Sequence, residues 1–127
     1  MAALRASSGG SRLGIASALA LGLSGVAIAL RPRQAAAVMD LSPGSARGVA
    51  ETRAGVGGTF AALGLWAAAR RSSDAYAAVG LTWLGAAALR GLSLRADEPE
   101  TDVTFWAFMA MEIGFGTAGV IASVQER

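Results

Sequence analysis

The chain has 127 residues, of which 54% are hydrophobic and 16% charged, and its 11 basic residues exceed its 9 acidic residues by two. A soluble globular domain averages about 25% charged residues, so this composition favours a small integral membrane protein. Histidine and cysteine are absent, which excludes disulfides, Cys or His catalysis, ordinary haem ligation and thiolate or imidazole metal sites. We therefore expect no catalytic residue, cofactor or metal ion, and a non-catalytic protein is favoured over an enzyme.

Charged residues divide the chain into apolar segments that predict an all-α fold, a four-helix transmembrane bundle with up-down topology. No segment shows the polar and apolar alternation of a strand, and alanine and glycine are poor strand formers. The predicted membrane domain covers residues 12–125 and follows a flexible N-terminal segment over residues 1–11. Its four helices are predicted over about residues 12–31, 45–70, 73–94 and 102–125.

The first predicted helix contains 18 uncharged residues between Arg12 and Arg31. This length is close to what crosses a hydrocarbon core of about 30 Å at 1.5 Å per residue. A cleaved signal peptide is the alternative, with the alanines at 35–37 as the cleavage site. The apolar part of a signal peptide usually has about 7 to 15 residues, and here two arginines follow it, so the length favours a retained helix.

The second and third predicted helices reach spanning length only if they include charged residues. Only 16 uncharged residues separate Arg53 from Arg70, so the second helix has to start near Ser45 or Gly48 and carries Glu51 and Arg53 in its first turns. The third helix has to continue past Arg90, which places this arginine near its end. Both helices therefore bring ionisable side chains towards the membrane.

The fourth predicted helix has 22 residues from 103 to 124, with Glu112 near its middle. One charged residue near a helix centre disfavours insertion by about 2.5–3.5 kcal/mol, so we expect Glu112 to face the bundle and to have a partner. Up-down topology places Arg53, Arg90 and Glu112 in the same half of the bilayer, with Glu51 further out. We therefore predict a polar cluster or ligand site formed by Glu51, Arg53, Arg90 and Glu112.

Each feature of this cluster also has a structural interpretation. Arg53 with Glu112 is either an interhelical ion pair or part of a ligand site, and Glu51 and Arg90 are alternatively interfacial side chains that reach the headgroups. The acidic residues from 97 to 102 are most simply a solvated turn. Small residues at three- and four-residue steps predict close helix packing. The predicted packing positions are Gly57, Gly58, Gly64, Gly114 and Gly116.

The arginines occur singly or in pairs at the ends of the apolar segments, which is typical of headgroup regions. Nucleic-acid binding instead uses a basic patch with stacking aromatics, so we expect the lipid bilayer, and no nucleic acid, as a partner. A homo-oligomer or a larger membrane complex is a further option. Arginine counts are equal on the two sides, and acidic residues on the loop side favour cytoplasmic termini in a bacterial inner membrane. Among the aromatic residues, Trp83 lies at mid-helix and does not fit an interfacial belt.

Four sequence motifs resemble a known family. They are Glu51-x-Arg53-x-x-x-Gly57-Gly58, Leu63-Gly64-Leu65, Leu89-Arg90-Gly-Leu-Ser93 and Met111-Glu112, and as a set they resemble the small bacterial membrane proteins of domain of unknown function 4345. The resemblance covers about residues 12–124. It implies a four-helix membrane fold and no established activity. The signature positions that it implies are Glu51, Arg53, Gly57, Gly58, Arg90 and Glu112.

Two classes of function fit these observations. The first is a non-catalytic accessory or structural subunit whose Arg/Glu cluster holds four weakly hydrophobic helices together. The second is a site for a small amphipathic ligand, such as a lipid headgroup, a quinone or a metabolite, bound by Arg53, Arg90 and Glu112. Transport ranks third, because protons or a ligand would have to cross the whole membrane. In the half of the membrane nearer the chain termini, the interior of the second and third helices offers no polar residue beyond Thr82.

Overall fold

The computed structural model describes the backbone of residues 2–127 and the side chains of residues 9–127, and this part of the chain is all-helical. It contains two long helices at its C-terminal end, one long helix at its N-terminal end and shorter segments between them. In chain order these are α1 (Ala2–Leu30), α2 (Pro32–Val38), α3 (Ala46–Glu51), a π segment (Thr52–Gly58), α4 (Thr59–Arg70), α5 (Ser73–Ala96) and α6 (Val103–Gln125).

The first helix is longer than predicted. It begins at Ala2, although the sequence predicts its start near residue 12 and a flexible segment before it. Met1 lies outside the described residues, and residues 2–11 form the first turns of α1. These residues include no proline, and the two glycines at 9 and 10 each cost only about 1 kcal/mol of helix propensity.

A sharp corner and a short helix follow α1. Arg31 leaves the helical region, with φ −134° and ψ 64°, and Pro32 then starts α2 at a position where its missing N–H is not needed. α2 ends in a Schellman turn, in which Asp40 has a left-handed φ of 55° and the Leu41 N–H donates to the Ala36 carbonyl at 2.9 Å. This turn sets the position of Asp40 at the end of α2.

The predicted second helix consists of three consecutive segments, α3, the π segment and α4. Ser45 caps its start by accepting the Gly48 N–H at 3.0 Å. The dihedrals at the junctions, φ −62° and ψ −46° at Thr52 and φ −63° and ψ −47° at Thr59, are those of a right-handed helix. The wider π turns fall where three glycines weaken the α-helix.

Three of the described helices are long and apolar enough to cross a membrane: Gly9–Leu30 within α1, Ser73–Ala96 and Val103–Gln125. The predicted span over residues 45–70 is not among them. α4 has 12 residues, which corresponds to only about 18 Å, and the charged and glycine residues before it lower the hydropathy of this part of the chain.

The centre of the structure is α1, which packs against the π segment and α4 on one side and against α6 on the other, while α5 packs against α6. Small residues allow close approach: Gly64 meets Gly22, and Gly57 meets the backbone of Ala29. Gly116 packs against Leu84 of α5. Two of the predicted packing glycines, Gly58 and Gly114, do not pack against another helix. Both are exposed, and no atom of another helix lies within 4 Å of a Cβ atom placed at either position.

Candidate functional site

An ion pair joins α5 to α6 near the end of the structure where α5 ends and α6 begins. Arg90 Nε donates to Glu112 Oε2 at 2.9 Å, and Arg90 Nη2 donates to Oε1 at 2.7 Å. This two-point geometry is the strong form of an arginine–carboxylate interaction. The side chain of Glu112 is 6% exposed and that of Arg90 is 24% exposed. The carboxylate is therefore buried, while the guanidinium reaches the surface.

Two aromatic rings hold the guanidinium from the α6 side. The guanidinium carbon of Arg90 lies 5.3 Å from the ring centroid of Phe105 and 5.6 Å from that of Phe108. Because three- and four-residue steps bring side chains to one helical face, these rings and Glu112 share a face of α6. Both distances allow cation–π attraction, so α6 contacts Arg90 by charge, by hydrogen bonding and by its aromatic faces.

The structure separates the other two members of the predicted cluster from this pair. Arg53 donates from Nη1 to the carbonyl of Ala29, in the last turn of α1, and not to Glu112. Glu51 Oε1 lies 3.7 Å from Arg47 Nε, and both side chains are well exposed. Ion pairs of this kind contribute little to the free energy of unfolding. Arg53 and Glu112 do not pair because the π segment packs against α1. The depth of a residue follows from its position along a helix, but the direction of its side chain around the axis depends on which helix it meets.

A cavity of about 720 Å³ lies beside the ion pair. Arg90, Phe105 and Phe108 line it from the helices, and the end of α2 and the loop before α6 line its other side. A second cavity, of about 310 Å³, shares Arg90, Pro99 and Phe105 with the first. The larger cavity also has three carboxylate residues in its lining, Asp40, Glu100 and Asp102.

Arg90 keeps hydrogen-bonding capacity on the cavity side. A guanidinium carries five N–H donors, and Arg90 uses two of them on Glu112. Among the side chains that the structure describes, no acceptor engages the remaining three. Arg90 is therefore paired with α6, lines the cavity, and has three donors that no described side chain occupies.

A largely apolar groove of about 330 Å³ lies next to this cavity. It is lined by Ala27 and Leu30 in the last turns of α1, by Arg31 at the corner, and by Gln34, Ala35 and Val38 of α2. Val38 also lines the 720 Å³ cavity, so the groove and the polar cavity meet at this side chain. Together they form a site with one polar and one apolar part.

A second polar connection, which the sequence did not predict, lies in the interior. Trp83 Nε1 donates to the Ser17 carbonyl at 3.2 Å, and Ser17 Oγ donates to the Phe115 carbonyl at 2.7 Å. The rings of Trp83 and Phe115 are stacked with their centroids 5.7 Å apart. We refer to Ser17, Trp83 and Phe115 as the interior tie, which connects α1, α5 and α6. The sequence contains one indication of the tie: Trp83 lies at mid-helix, away from any membrane interface, which suggests that its indole N–H has a partner inside the protein.

The part of the chain that the structure describes is all-helical, has three helices long and apolar enough to cross a membrane, and contains an ion pair with a buried carboxylate beside a cavity. Its described residues contain no group of three or more acidic side chains that could hold a metal ion. Comparison of the chain with family models, curated proteins and solved structures finds no match. The resemblance to domain of unknown function 4345 therefore stays a prediction.

Proposed function

We propose that the chain is a small non-catalytic integral membrane protein, an accessory or structural subunit, in which Arg90 and Glu112 lock the last two helices together. The observation that carries this proposal is the two-point ion pair with its carboxylate 6% exposed. A lone glutamate near a helix centre disfavours insertion by about 2.5–3.5 kcal/mol. A guanidinium that neutralises it and satisfies both oxygens lets a helix with this residue remain in the membrane.

The same proposal includes a four-helix bundle. α3, the π segment and α4 would serve as its fourth member, because the backbone stays helical at Thr52 and Thr59 and α4 packs against α1. The bundle would lie in a bacterial inner membrane with cytoplasmic termini, alone, as a homo-oligomer or within a larger complex. The resemblance to domain of unknown function 4345 supports this architecture.

Substitution of Glu112 tests the locking role. Glu112→Gln keeps the shape but removes the charge, so we expect the free energy of unfolding in detergent micelles to fall by about 2–3 kcal/mol, somewhat below the range for a fully buried pair. Glu51→Gln is the matched control, because its side chain is 70% exposed and its partner is 3.7 Å away. Equal stabilities of the Glu112 and Glu51 variants would contradict the proposal.

A second candidate function is the binding of a small amphipathic molecule. The observation that favours it is the 720 Å³ cavity beside Arg90, which meets an apolar groove at Val38. Ligand sites usually have volumes of about 300–1,000 Å³. A density map of the protein extracted with native lipids tests this function: a molecule between Arg90 and Val38 supports it, and a cavity that holds only water contradicts it.

A further inference from the structure

We infer that the cavity takes the headgroup of a zwitterionic aminophospholipid, with the phosphate at Arg90 and the ammonium group at the carboxylates of the lining. This inference rests on the second candidate function and specifies its ligand class. Three features of the site carry it: the free donors of Arg90, the excess of carboxylates around the cavity, and the largely apolar groove that shares Val38 with the cavity.

The phosphate end of the site is Arg90. Two of its five N–H donors are held by Glu112, and the remaining three have no acceptor among the described side chains. The guanidinium is also fixed in place by the rings of Phe105 and Phe108. A donor group that is already oriented loses little freedom on binding, and arginine matches the geometry of phosphate oxygens.

The ammonium end follows from the charges in the lining. Glu112 neutralises Arg90, so the carboxylates of Asp40, Glu100 and Asp102 leave the cavity with an excess of negative charge. Asp102 uses Oδ1 to cap α6 at Phe105, while the hydrogen bonds of the structure leave Asp40 and Glu100 without a donor among the described residues. Arg31 lines the adjoining groove, so a phosphate alone would find cations here, but a headgroup without an amine leaves these carboxylates without a partner. A primary ammonium donates hydrogen bonds to carboxylates, whereas a quaternary ammonium has no N–H to donate.

The position of the site in the fold agrees with a membrane lipid. The membrane-spanning segments that end at Leu30 and Ala96 and the one that begins at Val103 meet at the end of the structure where the cavity lies. The groove begins at Ala27 and Leu30, in the last turns of the span that ends at Leu30, and extends along α2 to Val38, which it shares with the cavity. A lipid whose headgroup lies in the cavity would extend an acyl chain past Val38 towards this span.

Lipid competition tests the ligand class. The full chain in detergent is mixed with equal amounts of phosphatidylethanolamine, phosphatidylcholine and phosphatidylglycerol that carry identical acyl chains, and bound lipid is counted by native mass spectrometry. We expect a one-to-one adduct with phosphatidylethanolamine, retained at least about fivefold over the other two lipids, as the loss of a charge-assisted hydrogen bond predicts.

Variants connect this preference to the carboxylates. Asp40→Asn combined with Glu100→Gln should abolish it, and asparagine tolerates the left-handed backbone at position 40. Asp74→Asn is the matched control, because Asp74 is an exposed acidic residue in the first turn of α5, at the opposite end of that helix from Arg90. The control should leave the preference unchanged. All these variants keep the Arg90–Glu112 pair.

Each contrary outcome has a separate meaning. Equal retention of the three lipids, preference for phosphatidylglycerol, or an unchanged preference in the Asp40/Glu100 double variant overturns the aminophospholipid assignment. Amphiphile binding itself still stands if Val38→Trp, which fills the junction of groove and cavity, removes the adduct. The absence of any adduct overturns both. The stability loss in Glu112→Gln is measured in a separate experiment, so the lipid results do not decide the locking role.

Discussion

Two of the polar connections between helices, the interior tie and the Arg90–Glu112 pair, differ in charge and in surroundings. The interior tie is neutral, with Ser17 fully buried and Trp83 5% exposed. The Arg90–Glu112 pair is charged, and its guanidinium borders two cavities. Both connections hold α5, one by a tryptophan and the other by an arginine. The difference indicates that the Arg90–Glu112 pair, and not the interior tie, is accessible to a ligand.

The chemistry of the partners explains this difference. In the tie, both acceptors are main-chain carbonyls, which also take part in their own helices, so neither is left bare when the side-chain donor is removed. In the ion pair, removal of one partner leaves a charge in a low-dielectric region, where it is costly. The tie therefore contributes mainly by packing and adds polar contacts. The ion pair, in contrast, is stable only when both partners are present, and its arginine lines the cavity.

The largest expected effect comes from the interior tie, because it contains the larger side chain. Trp83→Ala removes a buried ring, its stacking on Phe115 and one hydrogen bond, so the free energy of unfolding should fall by about 3–5 kcal/mol. SDS titration in mixed micelles measures this. Trp106→Ala, at a ring 50% exposed, is the control and should change stability by much less. Similar losses in the two variants would show that Trp83 is not a core residue.

Salt should separate the two connections. A double-mutant cycle with Arg90→Gln and Glu112→Gln should give a coupling energy of about 1–3 kcal/mol, which falls as the salt concentration rises because the guanidinium reaches the cavity. Trp83→Phe removes a neutral hydrogen bond in the interior, so its effect should not depend on salt. A coupling energy that is the same at low and high salt would mean that the cavity excludes ions from Arg90.

The all-helical class was predictable, because charge spacing and the absence of strand patterns indicate it independently. Ser45 and Asp102, where the second and fourth helices are predicted to begin, both cap helices in the structure. The π segment was not predictable from the α-helical rise alone, because glycines weaken one hydrogen-bond pattern without specifying another. For the same reason the length of residues 45–70 suggested a membrane span that the structure does not contain as a single long apolar helix.

The candidate site was predictable in part. Burial of Glu112 follows from the cost of a lone charge, and its depth narrows the partner to Arg53 or Arg90. The choice between them depends on which helices are neighbours, and α6 packs on α5, so Arg90 is the partner. The cavity depends on residues 37–40 and 99–104, which lie in and around loops, where no helical periodicity applies.

Glycine substitutions extend the comparison from polar groups to packing. A Cβ atom at Gly14 would lie 2.5 Å from Cδ2 of the fully buried Tyr76, so Gly14→Ala should lower the free energy of unfolding by about 1–3 kcal/mol. Gly85 is the matched control in α5, where an added Cβ meets no atom within 4 Å, and Gly85→Ala should raise stability by up to about 1 kcal/mol through helix propensity. A loss at both positions would contradict the packing around Tyr76.

The smallest expected effect tests how the interior tie is divided between side chain and main chain. Ser17→Ala removes the hydroxyl that donates to the Phe115 carbonyl, but the Ser17 carbonyl that accepts from Trp83 remains. Interhelical hydrogen bonds of this kind average about 0.6 kcal/mol in membranes, so the loss should be near this value and several times smaller than that of Trp83→Ala. If both variants lose the same amount, the serine hydroxyl, and not the packed ring, determines how α1 is held against α5 and α6.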